Sequence, residues 1–329
     1  MILYEHHTII HRDMMTESIA IITPQLVKDT PMEVVTHWVD SLDLKDRTKD
    51  SYRKNISYYL SWLEATGRTG ALRDDVLQYK KYLSDVMGYR ASTVSAYMTA
   101  VRTFYTWLQL EYNVMNVSEG VKGCKKPAGF RKDPLSAEQI KMVLSSIDMT
   151  APAGIRDYAL VCLMVRTGLR DIEVQRANIN DIRTVSGHTV LFVQGKGKDE
   201  KDCFVILSAP VLRALQTYIQ SRGERMDSDA PLFASMSDRN AGGRLTTRSI
   251  SRIVKQSFVN VGLDSERYTA HSLRHTAITL ALLGGATVQQ AQSMARHSNI
   301  NTTMIYAHNI DRMEDPAESY IDKMLGESY

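Results

Sequence analysis

The chain has 329 residues, 43% of them hydrophobic, enough to bury a core in each of two compact domains without a disulfide or metal staple. Its three cysteines, Cys124, Cys162 and Cys203, are odd in number and lack C-x-x-C spacing, which argues against a disulfide framework or zinc site and fits a reducing, cytoplasmic setting. A net charge of +3 singles out no partner, no run nears the roughly 20 apolar residues of a membrane span, and His6, His7, His11, Arg12 and Asp13 interrupt the start, so a soluble, unexported protein is expected.

Residues 1–24 show no pattern and are set aside as an N-terminal extension. From 25 to 118 the spacing predicts four helices and no strand. Val34, Val35, Trp38 and Val39 share one face of the first, and Tyr52, Ile56, Tyr59, Leu60 and Leu63 make the stripe of a second that begins near Thr48 and stops near Gly67. Leu77, Tyr79, Tyr82 and Leu83 mark a third over Val76–Val86. Ser92 is the expected N-cap of a fourth, which carries Val94, Tyr97, Met98, Val101, Tyr105 and Leu108. Residues 119–133 are a basic linker, with Lys122, Lys125, Lys126, Arg131 and Lys132 and no acidic residue between Val121 and Lys132. That composition suits a segment crossing a phosphate backbone, and it also suits a solvated loop. From 134 to 329, Ser136 with Gln139 predicts a capping box, and an apolar helix follows over Asp157–Val165. Thr189–Val193 and Phe204–Leu207 are predicted strands joined by a turn at Gly195, Lys196 and Gly197, and helices resume from Pro210. The expected fold is mainly α: a four-helix N-terminal domain, then an α-helical domain with a small antiparallel β-sheet.

Four signals in the second domain carry chemistry. Thr167, Gly168, Leu169, Arg170, Asp171, Ile172, Glu173 is a glycine break before a helix start, where an arginine and backbone N–H groups can converge on a phosphate. Taken alone, Arg170 is as well explained by a surface pair with Glu173 one turn on. Lys196 projects from a glycine-flanked turn, as many merely solvated lysines do. In His271, Ser272, Leu273, Arg274, His275, the spacing puts His271 and Arg274 on one helix face, either an anion clamp or an ordinary polar surface. Lastly, His297 in Ala295, Arg296, His297, Ser298, Asn299 precedes Tyr306, and a lone tyrosine is usually half-buried core.

In order and spacing, Arg170, Lys196, His271, Arg274, His297 and Tyr306 together resemble the catalytic pattern of the tyrosine recombinase (phage integrase) family, which includes the bacterial Xer recombinases. The resemblance runs over roughly residues 25 to 310, its N-terminal part matching the family's core-binding domain. One detail departs: where many members have Leu-Gly-His, this chain has Ala295, Arg296, His297, so the glycine is replaced.

The resemblance implies a site-specific recombinase that cleaves double-stranded DNA through a 3′-phosphotyrosyl link on Tyr306 and rejoins it, in integration, excision, inversion or resolution of the kind mobile elements use. A phenol of pKa about 10 attacking an anionic phosphate needs concentrated positive charge. Arg170 and Arg274 are expected on the non-bridging oxygens and Lys196 on the departing 5′ oxygen, while His271 takes the phenolic proton and His297 donates to the phosphate. No cofactor, metal or ATP is expected. Arg53, Lys54, Arg102, Lys122, Lys125, Lys126, Arg248 and Arg252 are expected DNA contacts. The stripe of Ile321, Met324 and Leu325, with Pro316 at the first helical position, is an expected tail helix docking on a second copy in a tetramer. A type IB topoisomerase-like relaxing enzyme and a catalytically silent DNA-binding relative share parts of the pattern.

Overall fold

The computed structural model describes residues 31–125, 133–195, 197–314 and 316–326. The expected extension 1–24 and the expected site residues Lys126 and Lys196 lie outside the described residues. The chain divides into two compact units, described up to Lys125 and from Asp133.

The first unit holds helices α1 (Pro31–Ser41), α2 (Asp46–Ala65), α3 (Arg73–Lys81) and α4 (Ala91–Tyr112). Each predicted stripe faces one core, in which Trp38, Ile56, Tyr59, Leu63, Tyr79, Val101, Phe104 and Tyr105 are buried. Tyr59 and Tyr105 are joined hydroxyl to hydroxyl at 2.9 Å, and Tyr105 donates to the Gly70 carbonyl at 2.6 Å, so these phenols enter the core with partners. Three expectations need correcting. The third helix begins earlier, at Arg73, and at Tyr82–Val86 widens into one π-type turn. Leu77 is exposed, because a step of one residue rotates it away from buried Val76. Ser92 lies inside α4, whose N-cap is Arg90. The start of the linker is also packed rather than free. Val121 is in the core, Lys80 donates to the Lys122 carbonyl at 2.8 Å, Arg73 to that of Glu119, and the Cys124 amide to the Ser95 hydroxyl at 3.2 Å.

The second unit is built on α6 (Pro152–Thr167), apolar almost all round and buried between α8 (Ala209–Ser221) and α10 (Ala270–Leu283). α5 (Ala137–Ser145) opens with the predicted capping box, Gln139 N to Ser136 Oγ at 3.2 Å and Ser136 N to Gln139 Oε1 at 2.8 Å. After α7 (Asp171–Arg176) comes an antiparallel sheet, β1 (Ile182–Val185), β2 (His188–Val193) and β3 (Cys203–Ile206), in the order β1-β2-β3. β2 and β3 are the predicted strands. β1 was not expected: it is short, its central Arg183 and Thr184 are exposed, and its signal lies in the Ser186-Gly187 turn, where both φ values are positive as a two-residue hairpin requires. The β2–β3 connection runs from Gln194 to Asp202, and within it the Lys198 amide donates to the Gly195 carbonyl at 3.2 Å.

α9 (Thr247–Val259), α10, α11 (Val288–Ala295) and α12 (Asn301–Glu314) complete the domain, and α13 (Ala317–Leu325) follows as a tail. Pro316 is the N-cap of α13, one position before the one expected. Tyr320, Ile321, Met324 and Leu325 on this helix are all exposed. No helix among the described residues is long and apolar enough to cross a membrane.

Candidate active site

α6 ends at Gly168, which adopts φ +62°, a left-handed turn that glycine makes without steric cost. Two residues later Arg170 is the N-cap of α7, its guanidinium partly exposed. Its Nη1 donates to Glu173 Oε1 at 2.9 Å and its amide to Glu173 Oε2 at 2.7 Å. The local pair foreseen as an alternative therefore exists, but Glu173 is fully buried and serves a second cation as well. Arg296 Nη2 reaches Oε2 at 2.9 Å. Burial alone would push the Glu173 carboxyl up, yet Arg296, the Arg170 amide and the Arg170 guanidinium hold it below the usual carboxylate range.

Arg274, in the second turn of α10, is 2% exposed. Its Nη1 donates to the Gly168 carbonyl at 2.5 Å and its Nη2 to that of Ala295, so one guanidinium ties the end of α6 to the end of α11. Burial, reinforced by Arg170 and Arg296, lowers its pKa to about 9 against the opposing pull of Glu173 and Tyr306. His271, one turn before it, is exposed at the helix start and meets His275 edge to face at 4.7 Å between ring centroids.

α11 closes in a left-handed turn at Arg296, φ +54°, with the His297 amide returning to the Gln292 carbonyl at 3.2 Å. Glycine is the usual residue in such a turn. Arginine here is held by its Nη2 bond to Glu173 and an Nη1 bond to the Met294 carbonyl at 2.6 Å, while its Nε is buried without a hydrogen-bond partner. The next residue, His297, shares a 2.9 Å hydrogen bond between Nδ1 and Thr303 Oγ1. With the threonine donating, the imidazole carries its own proton on Nε2. Burial, then Arg274 and Arg170, lower the His297 pKa to about 4, so the ring is neutral at neutral pH.

Tyr306, on α12, is 4% exposed and packs with Ile278, Ala291 and Ala295 of α10 and α11. Its hydroxyl lies 2.5 Å from His275 Nδ1. Burial raises the phenol to about 12 even though Arg274 and Arg170 draw it down, and burial with His271, Arg274 and His297 lowers His275 to about 4.

The model of the phage integrase family matches residues 134–313. The chain belongs to that family. Among its relatives, the tyrosine recombinase XerD of Oceanobacillus iheyensis is 28% identical over 284 residues, 84% of this chain and 93% of that protein. The tyrosine recombinase XerC of Halalkalibacterium halodurans is 31% identical over 239 residues, 69% of this chain and 75% of that protein. In fold, the chain is similar to the XerH site-specific recombinase in a post-cleavage complex with a palindromic difH substrate, at 22% identity and a TM-score of 0.68, covering 82% of this chain and 79% of the other. It is similar too to a lambda integrase dimer bound to a COC′ core site, at 15% identity and a TM-score of 0.62, covering 82% and 94%. This phage integrase family member is a tyrosine recombinase, and its function is site-specific DNA recombination. The DNA-relaxing and catalytically silent alternatives find no support among these relatives.

Of the six residues expected at the recombinase site, Arg170 and Arg274 act electrostatically on each other and on both His297 and Tyr306, and His271 joins them through His275 and His297. Lys196 is outside the described residues. The neighbouring Gly195 carbonyl is held by Arg176 at 3.1 Å. Three residues beyond the expected set touch its members: Glu173 holds Arg170, Thr303 meets His297, and His275, directly after Arg274 in the same motif, meets Tyr306. Among the described residues no three His, Cys, Asp or Glu side chains gather as a metal site.

Of the expected DNA contacts, Lys54, Lys122, Lys125, Arg248 and Arg252 are exposed, the last two one turn apart on α9. Arg53 is paired with Asp50 at 3.0 Å. Arg102 is half-buried and occupied within its own unit, donating to the carbonyls of Met98 and Val121 and to Thr99 Oγ1.

Proposed function

We propose that the recombinase transfers a DNA phosphodiester onto Tyr306, leaving a free 5′ hydroxyl, and rejoins it to a new partner strand. One observation carries this reading: the Tyr306 phenol packs between α10, which bears Arg274, and the end of α11, whose Ala295 carbonyl Arg274 holds, so that Arg274 and Arg170 act on it against burial. Those same cations would stabilise the extra charge of a pentacoordinate phosphate. Arg170 and Arg274 take the non-bridging oxygens, and His271 accepts the phenolic proton. His297, its Nδ1 engaged by Thr303, donates through Nε2 to the phosphate. Lys196 protonates the leaving 5′ oxygen, a role that rests on the family pattern alone. With the charge supplied by guanidinium groups, neither a metal nor ATP has a part.

Strand exchange needs more than one active site. The exposed stripe of Ile321, Met324 and Leu325 on α13 supports docking of the tail on a second copy, giving a tetramer on two duplexes. Lys54, Lys122, Lys125, Arg248 and Arg252 supply phosphate contacts, and the protein acts in the cytoplasm on a recombination site, in the manner of mobile elements.

The test is to incubate the full chain with labelled duplexes that it has itself selected from a random pool, and to follow covalent adduct and exchanged strands. Adduct formation with chelator present, loss of adduct in Tyr306→Phe, and exchanged products that disappear when 317–325 are deleted are expected. An adduct that survives in Tyr306→Phe would move the nucleophile elsewhere, Tyr320 first.

A further inference from the structure

The role of His275 is not contained in the six-residue pattern, yet its ring is the one whose nitrogen meets the Tyr306 hydroxyl. Its position is set from two sides. It follows Arg274, whose guanidinium is locked to Gly168 and Ala295, and it lies one turn before buried Ile278 on α10, against which the phenol ring packs. Ile278 therefore seats the ring while His275 receives its oxygen, with the two rings 5.5 Å apart and tilted by 34°. The groups facing this imidazole are His271 and Arg274 from its own helix, His297 from the end of α11 and Tyr306 from α12.

We propose that His275 is a positioning residue for the nucleophile: its neutral imidazole accepts the Tyr306 hydroxyl through Nδ1 and fixes where the phenolic oxygen stands before DNA is cut. The inference rests on Tyr306 being the nucleophile. His275 is a poor candidate for the base itself. Burial raises the phenol and lowers the imidazole, so both shifts oppose proton transfer from Tyr306 to His275. A neutral acceptor in a fixed place is what these shifts favour, and proton removal stays with His271.

Two measurements test this. In the DNA-free full chain with ¹⁵N-labelled histidine, at neutral pH, His275 is expected as the tautomer protonated on Nε2, and its Nδ1 resonance should move in Tyr306→Phe. In cleavage of the self-selected duplex, His275→Ala should lower the rate by about 10²-fold, as expected when a reacting atom is misplaced by about 1 Å, with DNA binding unchanged. His275→Asn, whose Oδ1 offers an acceptor near the place of Nδ1, should recover to within about 10-fold of the native rate with an unaltered pH profile. An Nδ1 resonance indifferent to Tyr306→Phe, an Asn variant as slow as the Ala variant, or an Ala variant as fast as the native chain would each overturn the proposal. Absence of any adduct from the native chain would instead refute Tyr306 as the nucleophile, and the nitrogen spectrum would still decide the hydrogen bond.

Discussion

Replacing Arg296 separates the cost of its backbone conformation from the worth of its side chain. Arg296→Ala and Arg296→Gly both lose the bond to Glu173, a charged hydrogen bond of about 1.5–3 kcal/mol, and both remove a buried, unpartnered Nε whose burial costs about 1–3 kcal/mol, so these contributions nearly offset. Neither leaves Glu173 without a cation, because Arg170 remains on Oε1. What distinguishes the variants is φ +54°: alanine keeps a left-handed penalty of about 1–2 kcal/mol that glycine escapes, less about 0.5–1 kcal/mol for the greater freedom of glycine in the unfolded chain. Arg296→Gly should therefore exceed Arg296→Ala by about 0.5–1 kcal/mol, about 2 °C in midpoint for a unit of this size. Thermal unfolding followed by far-ultraviolet circular dichroism measures it. Trp38, Trp62 and Trp107, the chain's only tryptophans, all lie in the first unit, so their fluorescence follows the unfolding of that unit in the same samples. An alanine variant as stable as the glycine variant would refute the argument from backbone conformation.

Arg170→Lys and Arg274→Lys should each slow DNA cleavage by about 10² or more, measured as adduct formation, because a point charge cannot reproduce a guanidinium fork at the phosphate. Arg274→Lys should also lower the melting temperature, since the Gly168 and Ala295 carbonyls lose a shared donor. Thr303→Val keeps the side chain's shape but removes the hydroxyl at His297 Nδ1. Cleavage should fall by about 10-fold, less than the roughly 10²–10⁴ of losing an acid–base group outright because His297 itself remains, with DNA binding unchanged in a gel-shift assay. Acid should destabilise the second unit through His275 and His297. Both have folded pKa values near 4, below the unfolded value of about 6.5, so their contribution is complete above about 6.5 and is lost as pH falls toward 4. Melting temperatures taken across that window should decline, and less steeply in His275→Asn.

Helical spacing is legible wherever one face meets a core, as in Trp38, Tyr59 and Tyr105, because burial and periodicity there have the same cause. The capping box at Ser136 was equally plain. What escaped had its cause elsewhere in the molecule. β1 exposes consecutive Arg183 and Thr184, which point to opposite faces and so break any apolar alternation, and it reveals itself only through the Ser186-Gly187 turn. The packed start of the linker depends on Lys80 and Arg73, some forty residues upstream. In the site, Arg170, Arg274, His297 and Tyr306 stood out by order and residue type. Glu173 reads as a local partner of Arg170 because its bond to Arg296 spans 123 residues, and His275 carries no signal of its own because one residue of separation says nothing about which ring turns inward.

The two guanidinium groups that cross-link the ends of α6 and α11 and the start of α7 have a consequence for timing. Rotamer freedom that a flexible cationic site would surrender on meeting its ligand is surrendered here when the chain folds. DNA thus meets arginines already held in place, and less side-chain ordering remains to be done when it binds.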